Sequence, residues 1–194
     1  MKNQVILVDC DGVLLDWEAA FDSWMSLHGY QINPGGQDEY LMHRRYPISR
    51  EDGRHLIRTF NESAAIGYLK PLRDAQWYVR RLHEEHGYVF HCITSLSNDP
   101  NAQRLREMNL HELFGRSTFE KIVCLGTGHD KDQALGPYQD SGCWWIEDKP
   151  ENADLGYHLG LRSVLMEHGH NADHECPYPV VKNWREIYAI ITPA

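Results

Sequence analysis

Val5-Ile6-Leu7-Val8-Asp9-Cys10-Asp11-Gly12-Val13 is the stretch whose reading decides the fold. Four apolar residues are too few for a globular helix, and a run closed off by Asp and Gly reads as a buried strand. In an extended segment residues i and i+2 point the same way, so Asp9 and Asp11 present both carboxylates to one place at the strand's carboxyl end. Gly12 lets the chain turn sharply there. Two such carboxylates supply a nucleophile and a proton carrier, or donors for a hard cation. The same letters also suit a plain Asp/Gly-rich turn.

Four further short apolar runs follow the first: Tyr88–Ile93, Ile122–Leu125, Cys143–Ile146 and Ser163–Met166. Helical patterns lie between them. Arg73–His86 sets Ala75, Tyr78, Val79 and Leu82 on one face with Gly87 at the C-cap position, and Asn101–Leu113 repeats the pattern. Pro150 fits a first helical position, and Asn183 with Glu186 three residues later fits a capping box. Strands alternating with helices predict an α/β, Rossmann-like three-layer domain around a parallel β-sheet.

Far more chain lies between Val8 and Tyr88 than a single crossover helix requires. Trp17, Ala20, Phe21 and Trp24 form one helical stripe in it and Leu56, Ile57 and Phe60 another, with Asn33-Pro34-Gly35-Gly36 and Pro47 as breaks. Residues 15–72 are therefore expected to form a small α-helical cap inserted after the first strand, seated over the strand ends of a core made of 1–14 and 73–194. That edge is where open α/β sheets keep their ligands.

Of 194 residues, 42% are apolar and 24% charged, and 19 Lys+Arg against 28 Asp+Glu give a formal charge of −9. This is the balance of a soluble globular domain with a core large enough to need no staples. A net anion argues against nucleic-acid polymers and anionic membranes as partners. The leading apolar run stops at Asp9, so neither a signal peptide nor a membrane span is expected. Five cysteines without CxxC spacing read as reduced thiols of a cytoplasmic protein.

Other strand ends carry chemistry too. Cys92-Ile93-Thr94-Ser95 offers two hydroxyls, and Trp144-Trp145-Ile146-Glu147-Asp148 ends in a carboxylate pair suited to a metal. Lys131 precedes a short helical pattern, with Lys121 as a competing candidate. Asp9/Asp11, Thr94, Lys131 and Asp148 fall in this order on consecutive βα units. In that order and spacing the chain resembles the haloacid dehalogenase (HAD) superfamily of phosphotransferases over nearly its whole length.

The resemblance implies a HAD-type fold and a Mg²⁺-dependent phosphatase. Asp9 would be the nucleophile that forms an aspartyl-phosphate and Asp11 the proton carrier. Thr94 and Ser95 would contact the phosphoryl oxygens, and Lys131 would offset their charge. Mg²⁺ would be held by Asp9, Asp148 and the backbone of Asp11, with Glu147 in or near its shell. The opening Val8-Asp9-Cys10-Asp11-Gly12-Val13-Leu14-Leu15-Asp16-Trp17-Glu18 is similar to that of the 5′(3′)-deoxyribonucleotidases, in which the aromatic at the position of Trp17 stacks on the nucleobase. Two features depart from that family: Glu147-Asp148 replaces two aspartates, and Leu72-Arg73-Asp74-Ala75 replaces Pro-Gly-Ala. The implied partner is a nucleotide or another small phosphorylated metabolite. A sugar-phosphate phosphatase, or a catalytically silent ligand-binding module, are the alternatives.

The remaining candidates read more blandly. Phe21, Trp24 and Phe60 are expected in the cap's core. Arg44, Arg45, Arg50, Arg54 and Arg58 are expected on a solvated face, with a second anion contact as the alternative. His168, His170, His174 and Cys176 match no standard zinc spacing and suit a polar loop. Asn152 is expected to cap its helix, with orientation of a metal ligand as the alternative.

Overall fold

β1 (Gln4–Val8) is hydrogen-bonded on both sides and buried from Ile6 to Val8, as a continuous apolar run requires in the middle of a parallel sheet. A computed structural model describes residues 4–128 and 131–193. On one side of β1 lie β2 (Tyr88–Ser95) and then β3 (Phe119–Leu125). On the other lie β4 (Trp144–Glu147), β5 (Arg162–Met166) and β6 (Val180–Val181). Every pairing is parallel. The five expected strands are all present, each extended by a residue or more at one end or shifted by one. β6 was not anticipated, because two residues carry no periodicity to read.

The order β3-β2-β1-β4-β5-β6 makes β1 the switch point, where chain connections leave to opposite sides. A crevice opens at the carboxyl ends of strands at such a point. Val8 pairs with both Cys92 and Ile146, so Asp9, Thr94 and Glu147 emerge at one level of the sheet.

Helices α4 (Ala75–His86), α5 (Pro100–Phe114), α7 (Pro150–His158) and α8 (Trp184–Ile191) cover the sheet. The one-turn α6 (Asp132–Leu135) follows β3. The caps follow the letters: Gly87 ends α4 in the left-handed region, Asp99 accepts the Ala102 amide at 2.8 Å, and Asn183 accepts that of Glu186 at 3.0 Å. The Glu186 carboxylate accepts from the Lys182 amide (2.8 Å) rather than from Asn183, so the reciprocal half of the expected box shifts by one residue. Trp184, fully buried, donates its indole N–H to the Val13 carbonyl at 2.8 Å and props the loop that follows β1.

The cap is inserted after β1. Chain leaves and returns side by side, with the Asp16 amide on the Lys70 carbonyl (2.9 Å) and the Leu72 amide on the Leu14 carbonyl (2.8 Å). Between these ties lie α1 (Trp17–Leu27), α2 (Met42–Arg45) and α3 (Arg50–Asn61). Phe21 and Phe60 are fully buried among Trp17, Trp24 and Tyr46, as the apolar stripes required. Arg45 is the exception to a solvated arginine face. It is 2% exposed and paired with Asp22 (2.5 Å) and Glu18 (3.0 Å), because α2 turns it inward against α1. No helix among the described residues is long and apolar enough to cross a membrane.

Candidate active site

Lys131 is the centre of the site. It is 2% exposed, and its Nζ lies 2.8 Å from Asp9 Oδ1 and 2.9 Å from Glu147 Oε1. A buried ammonium needs carboxylate partners to be tolerated, and here two strand ends supply them. Lys121, the competing candidate, is exposed on β3 opposite His91 and does not line the cavity. His129 and Asp130, which precede Lys131, lie outside the described residues.

Glu147 is fully buried and has no free lone pair. Its Oε1 accepts from Lys131 and from Asn152 Nδ2 (2.6 Å), and its Oε2 from the backbone amides of Asp148 (2.6 Å) and Lys149 (2.9 Å). Asn152 therefore does not cap α7; it orients this carboxylate. Burial pushes the Glu147 carboxyl upward, but Lys131, the Lys149 amide and a hydrogen bond from the Asp148 side chain outweigh it and hold the group below its ordinary range. Asp9 lacks that support. Burial dominates over the opposing pull of Lys131, Glu147 and Asp11 add repulsion, and its pKa rises to about 7. Asp148 rises too, through burial and then the charges of Glu147 and Asp9. Lys131 moves upward despite its burial, because both carboxylates favour its charge.

Thr94 is 1% exposed, and its hydroxyl has no hydrogen-bond partner among the described residues, yet it lines the same cavity. A buried hydroxyl without a partner calls for an acceptor that arrives with a ligand. Ser95, Asp11 and Asp148 also line this cavity of about 560 Å³. So does Trp17, whose one face lies on Phe21 (4.7 Å, near-parallel) while its indole N–H is held by Asn61 Oδ1 at 2.9 Å. Asp9, Asp11, Trp17, Thr94, Ser95, Lys131 and Asp148 therefore line one cavity, with Glu147 buried behind Lys131.

One further neighbour carries no local signal in the sequence, and two of the loop histidines join it at the site. Arg106 of α5, wholly buried, donates through both terminal nitrogens to the Asp11 carboxylate and at 2.7 Å to Cys10 Sγ. An arginine in an amphipathic helix reads as solvated unless its counter-ion across the fold is known. His168 donates from Nε2 to the Gly12 carbonyl at 2.7 Å, and His170 stacks on it and lies against Tyr40, at the rim of the cavity. His174 and Cys176 go elsewhere, to Asp154 and to the Tyr178 carbonyl, so the four do not form a metal set.

Whether the site suits a divalent cation is decided by its donors. Oxygens of Asp9, Glu147 and Asp148 lie within 4.8 Å of one another. Two buried carboxylates and the partly buried Asp148 against one ammonium leave excess negative charge, and all-oxygen donors match Mg²⁺. With Glu147 saturated, Asp9 and Asp148 are the side chains with room to bind. The residues fit the cation.

No protein-family model matches the chain. It is 31% identical over 133 residues to an uncharacterized 32.4 kDa protein of the Gp30-rIII intergenic region of Enterobacteria phage T4, a match covering 66% of this chain and 46% of that one. The chain thus spans about half the length of that relative. Among solved structures it is similar to the haloacid dehalogenase-like hydrolase SP0104 of Streptococcus pneumoniae, with a TM-score of 0.68 at 15% identity, covering 98% of this chain and 99% of that one. CbbY of Rhodobacter sphaeroides in complex with phosphate gives 0.61 at 16% identity, covering 95% and 96%. The L-2-haloacid dehalogenase of Xanthobacter autotrophicus, with chloropropionic acid covalently bound, gives 0.60 at 12% identity, covering 99% and 100%. With a six-stranded parallel sheet switching at β1, a helical cap after it and an acidic cluster at the strand ends, the protein has the haloacid dehalogenase fold.

Proposed function

We propose that this protein is a Mg²⁺-dependent phosphomonoester hydrolase that works through an aspartyl-phosphate on Asp9, with a small 5′-(deoxy)nucleotide as substrate. The observation that carries the reading is Lys131 buried between Asp9 and Glu147. A carboxylate that attacks a phosphate dianion meets like-charge repulsion, and an ammonium fixed beside it lowers that barrier. Residues 15–72 act as the cap domain over a core of 1–14 and 73–194.

Asp9 attacks phosphorus and the bond to the ester oxygen breaks, with Asp11 giving that oxygen its proton. Asp11 then takes a proton from the water that attacks the phosphorylated Asp9, releasing orthophosphate and restoring the carboxylate. Thr94 and Ser95 donate to the phosphoryl oxygens. Arg106 holds the Asp11 carboxylate in place, and Glu147, itself fixed by Asn152 and two amides, holds Lys131 against Asp9. Asp9, Asp148 and the Asp11 carbonyl would hold the cation, which when bound neutralises phosphoryl charge and keeps Asp9 ionised.

Trp17 on the cavity wall supports a nucleobase over a plain sugar phosphate. Halide displacement is the less suited alternative: a halide leaves without a proton, so Asp11 and the cation's carboxylates would have no task. The test is phosphate release from nucleoside monophosphates and sugar phosphates, with Mg²⁺ and with excess EDTA. Release concentrated on deoxynucleotides, abolished by EDTA and by Asp9→Asn, is the expected result. Release that survives Asp9→Asn would sink the mechanism, and release confined to sugar phosphates would remove the base pocket.

A further inference from the structure

The cavity has a second pole that phosphoryl transfer does not use. Its cap wall includes Arg50 and Arg54, one turn apart on α3, both exposed and neither with a hydrogen bond or ion pair among the described residues. The cap's other arginines near the cavity are engaged. Arg45 is tied to Asp22 and Glu18, and Arg44 pairs with Glu39 at 3.8 Å. Arg73, at the hinge, donates to the Glu167 and Lys182 carbonyls.

Neighbouring acids are committed as well. Glu18 is taken by Arg45, the Asp16 carboxylate caps α1 by accepting the Ala19 amide at 3.2 Å, and Asp52 accepts from the Ser49 hydroxyl at 2.7 Å. Two like charges at i and i+4 repel each other, and among the described residues neither forms an ion pair, not even with Glu51, an exposed acid between them on α3. Two guanidinium groups carried one turn apart on one helix face of the cavity supply the donors that the oxygens of a phosphate need. The Asp9–Lys131 floor and the Arg50–Arg54 wall belong to one cavity of about 560 Å³, a volume in the range that takes a whole small-molecule ligand.

We infer that Arg50 and Arg54 form a subsite for a second phosphoryl group, so that the preferred substrate is a bisphosphate whose far phosphate is held by the cap while the near one is hydrolysed. The inference rests on the phosphatase reading for which end reacts, but not for the existence of the subsite. It is tested with matched pairs: a nucleoside 3′,5′-bisphosphate against the 5′-monophosphate, and fructose 1,6-bisphosphate against fructose 6-phosphate. The bisphosphate of one pair should show a kcat/KM at least about tenfold above its monophosphate, and the pair that shows it tells a nucleoside from a sugar scaffold. In the Arg50→Gln/Arg54→Gln protein that ratio should fall to about one, chiefly through KM.

A ratio near one in the unsubstituted protein, or a high ratio that the double substitution leaves unchanged, would overturn the subsite. If nothing is hydrolysed, calorimetric titration of the same four compounds decides it alone. Bisphosphate binding weakened about tenfold or more by the double substitution keeps the subsite while the phosphatase reading falls, and equal binding by both proteins discards the subsite.

Discussion

Gly12 shows how closely the loop after β1 is fitted. Its φ is +74°, and a Cβ there would lie 2.2 Å from Asp148 Oδ2 and 2.7 Å from its carboxyl carbon. An L-residue is strained in that region by about 1–2 kcal/mol, and Asp148 would also have to move. Gly12→Ala is therefore expected to lower turnover by about tenfold or more and to weaken Mg²⁺ binding in a calorimetric titration. Unchanged Mg²⁺ affinity would remove Asp148 from the cation's donors. Asp9, Asp11 and Gly12 were legible because the alternation of a strand and the freedom of glycine are local properties. Arg106 and Asn61 were not, because each acts on a partner that only the fold brings near; Asn152 and His168 stood out as candidates, but the groups they hold did not.

Among the elements, α7 against β4 sets two principles in conflict. Gly156 sits in the last turn of α7, where helix propensity favours alanine by up to about 1 kcal/mol. A Cβ there would lie 2.3 Å from Trp145 Cδ1 and 2.9 Å from Ser163 Oγ, and Trp145 is fully buried with its indole N–H on the Asn152 carbonyl. Overpacking of this kind costs about 1–3 kcal/mol, so packing wins over propensity. Gly156→Ala should lower the denaturation midpoint in urea with an unchanged slope, and a raised midpoint would show that the interface yields. The helix pattern foretold α7 and its Pro150 start but not this contact. β6 escaped notice for a related reason, since its place is defined by pairing with Leu165 and Met166 rather than by its own two residues.

For the molecule as a whole, stability is tied to the charge of the site. Burial lifts Asp9 from 3.8 to about 7, so between those values the folded protein holds a proton that the unfolded chain has released. Stability through this group is therefore lost as pH rises across that window. In EDTA, the melting temperature of Asp9→Asn minus that of the unsubstituted protein should grow from about pH 5 to about pH 8, by at least about 4 °C. Mg²⁺ should narrow the gap at the upper end by stabilising the ionised form. A difference independent of pH would show that burial does not hold Asp9 up. The comparison with Asn matters because His168 and His170, held low by burial, lose stability in the opposite direction, as pH falls.

The sequence by itself determined the layers of this protein: where the apolar runs are buried, where helices start and stop, and that a helical insertion follows β1. It also determined which carboxylates, hydroxyls and lysine can reach one sheet edge, because period and strand ends are short-range properties. Tertiary structure decided the rest. It chose Lys131 over Lys121 for the cavity, turned Glu147 from a free donor into a saturated brace for that lysine, and buried Arg106 beneath Asp11. It also sent Arg45 inward while leaving Arg50 and Arg54 on the cavity wall. These outcomes depend on which charges meet across the fold. The energy of an ionic group is set by its partners and its burial, and neither is written in the neighbouring letters.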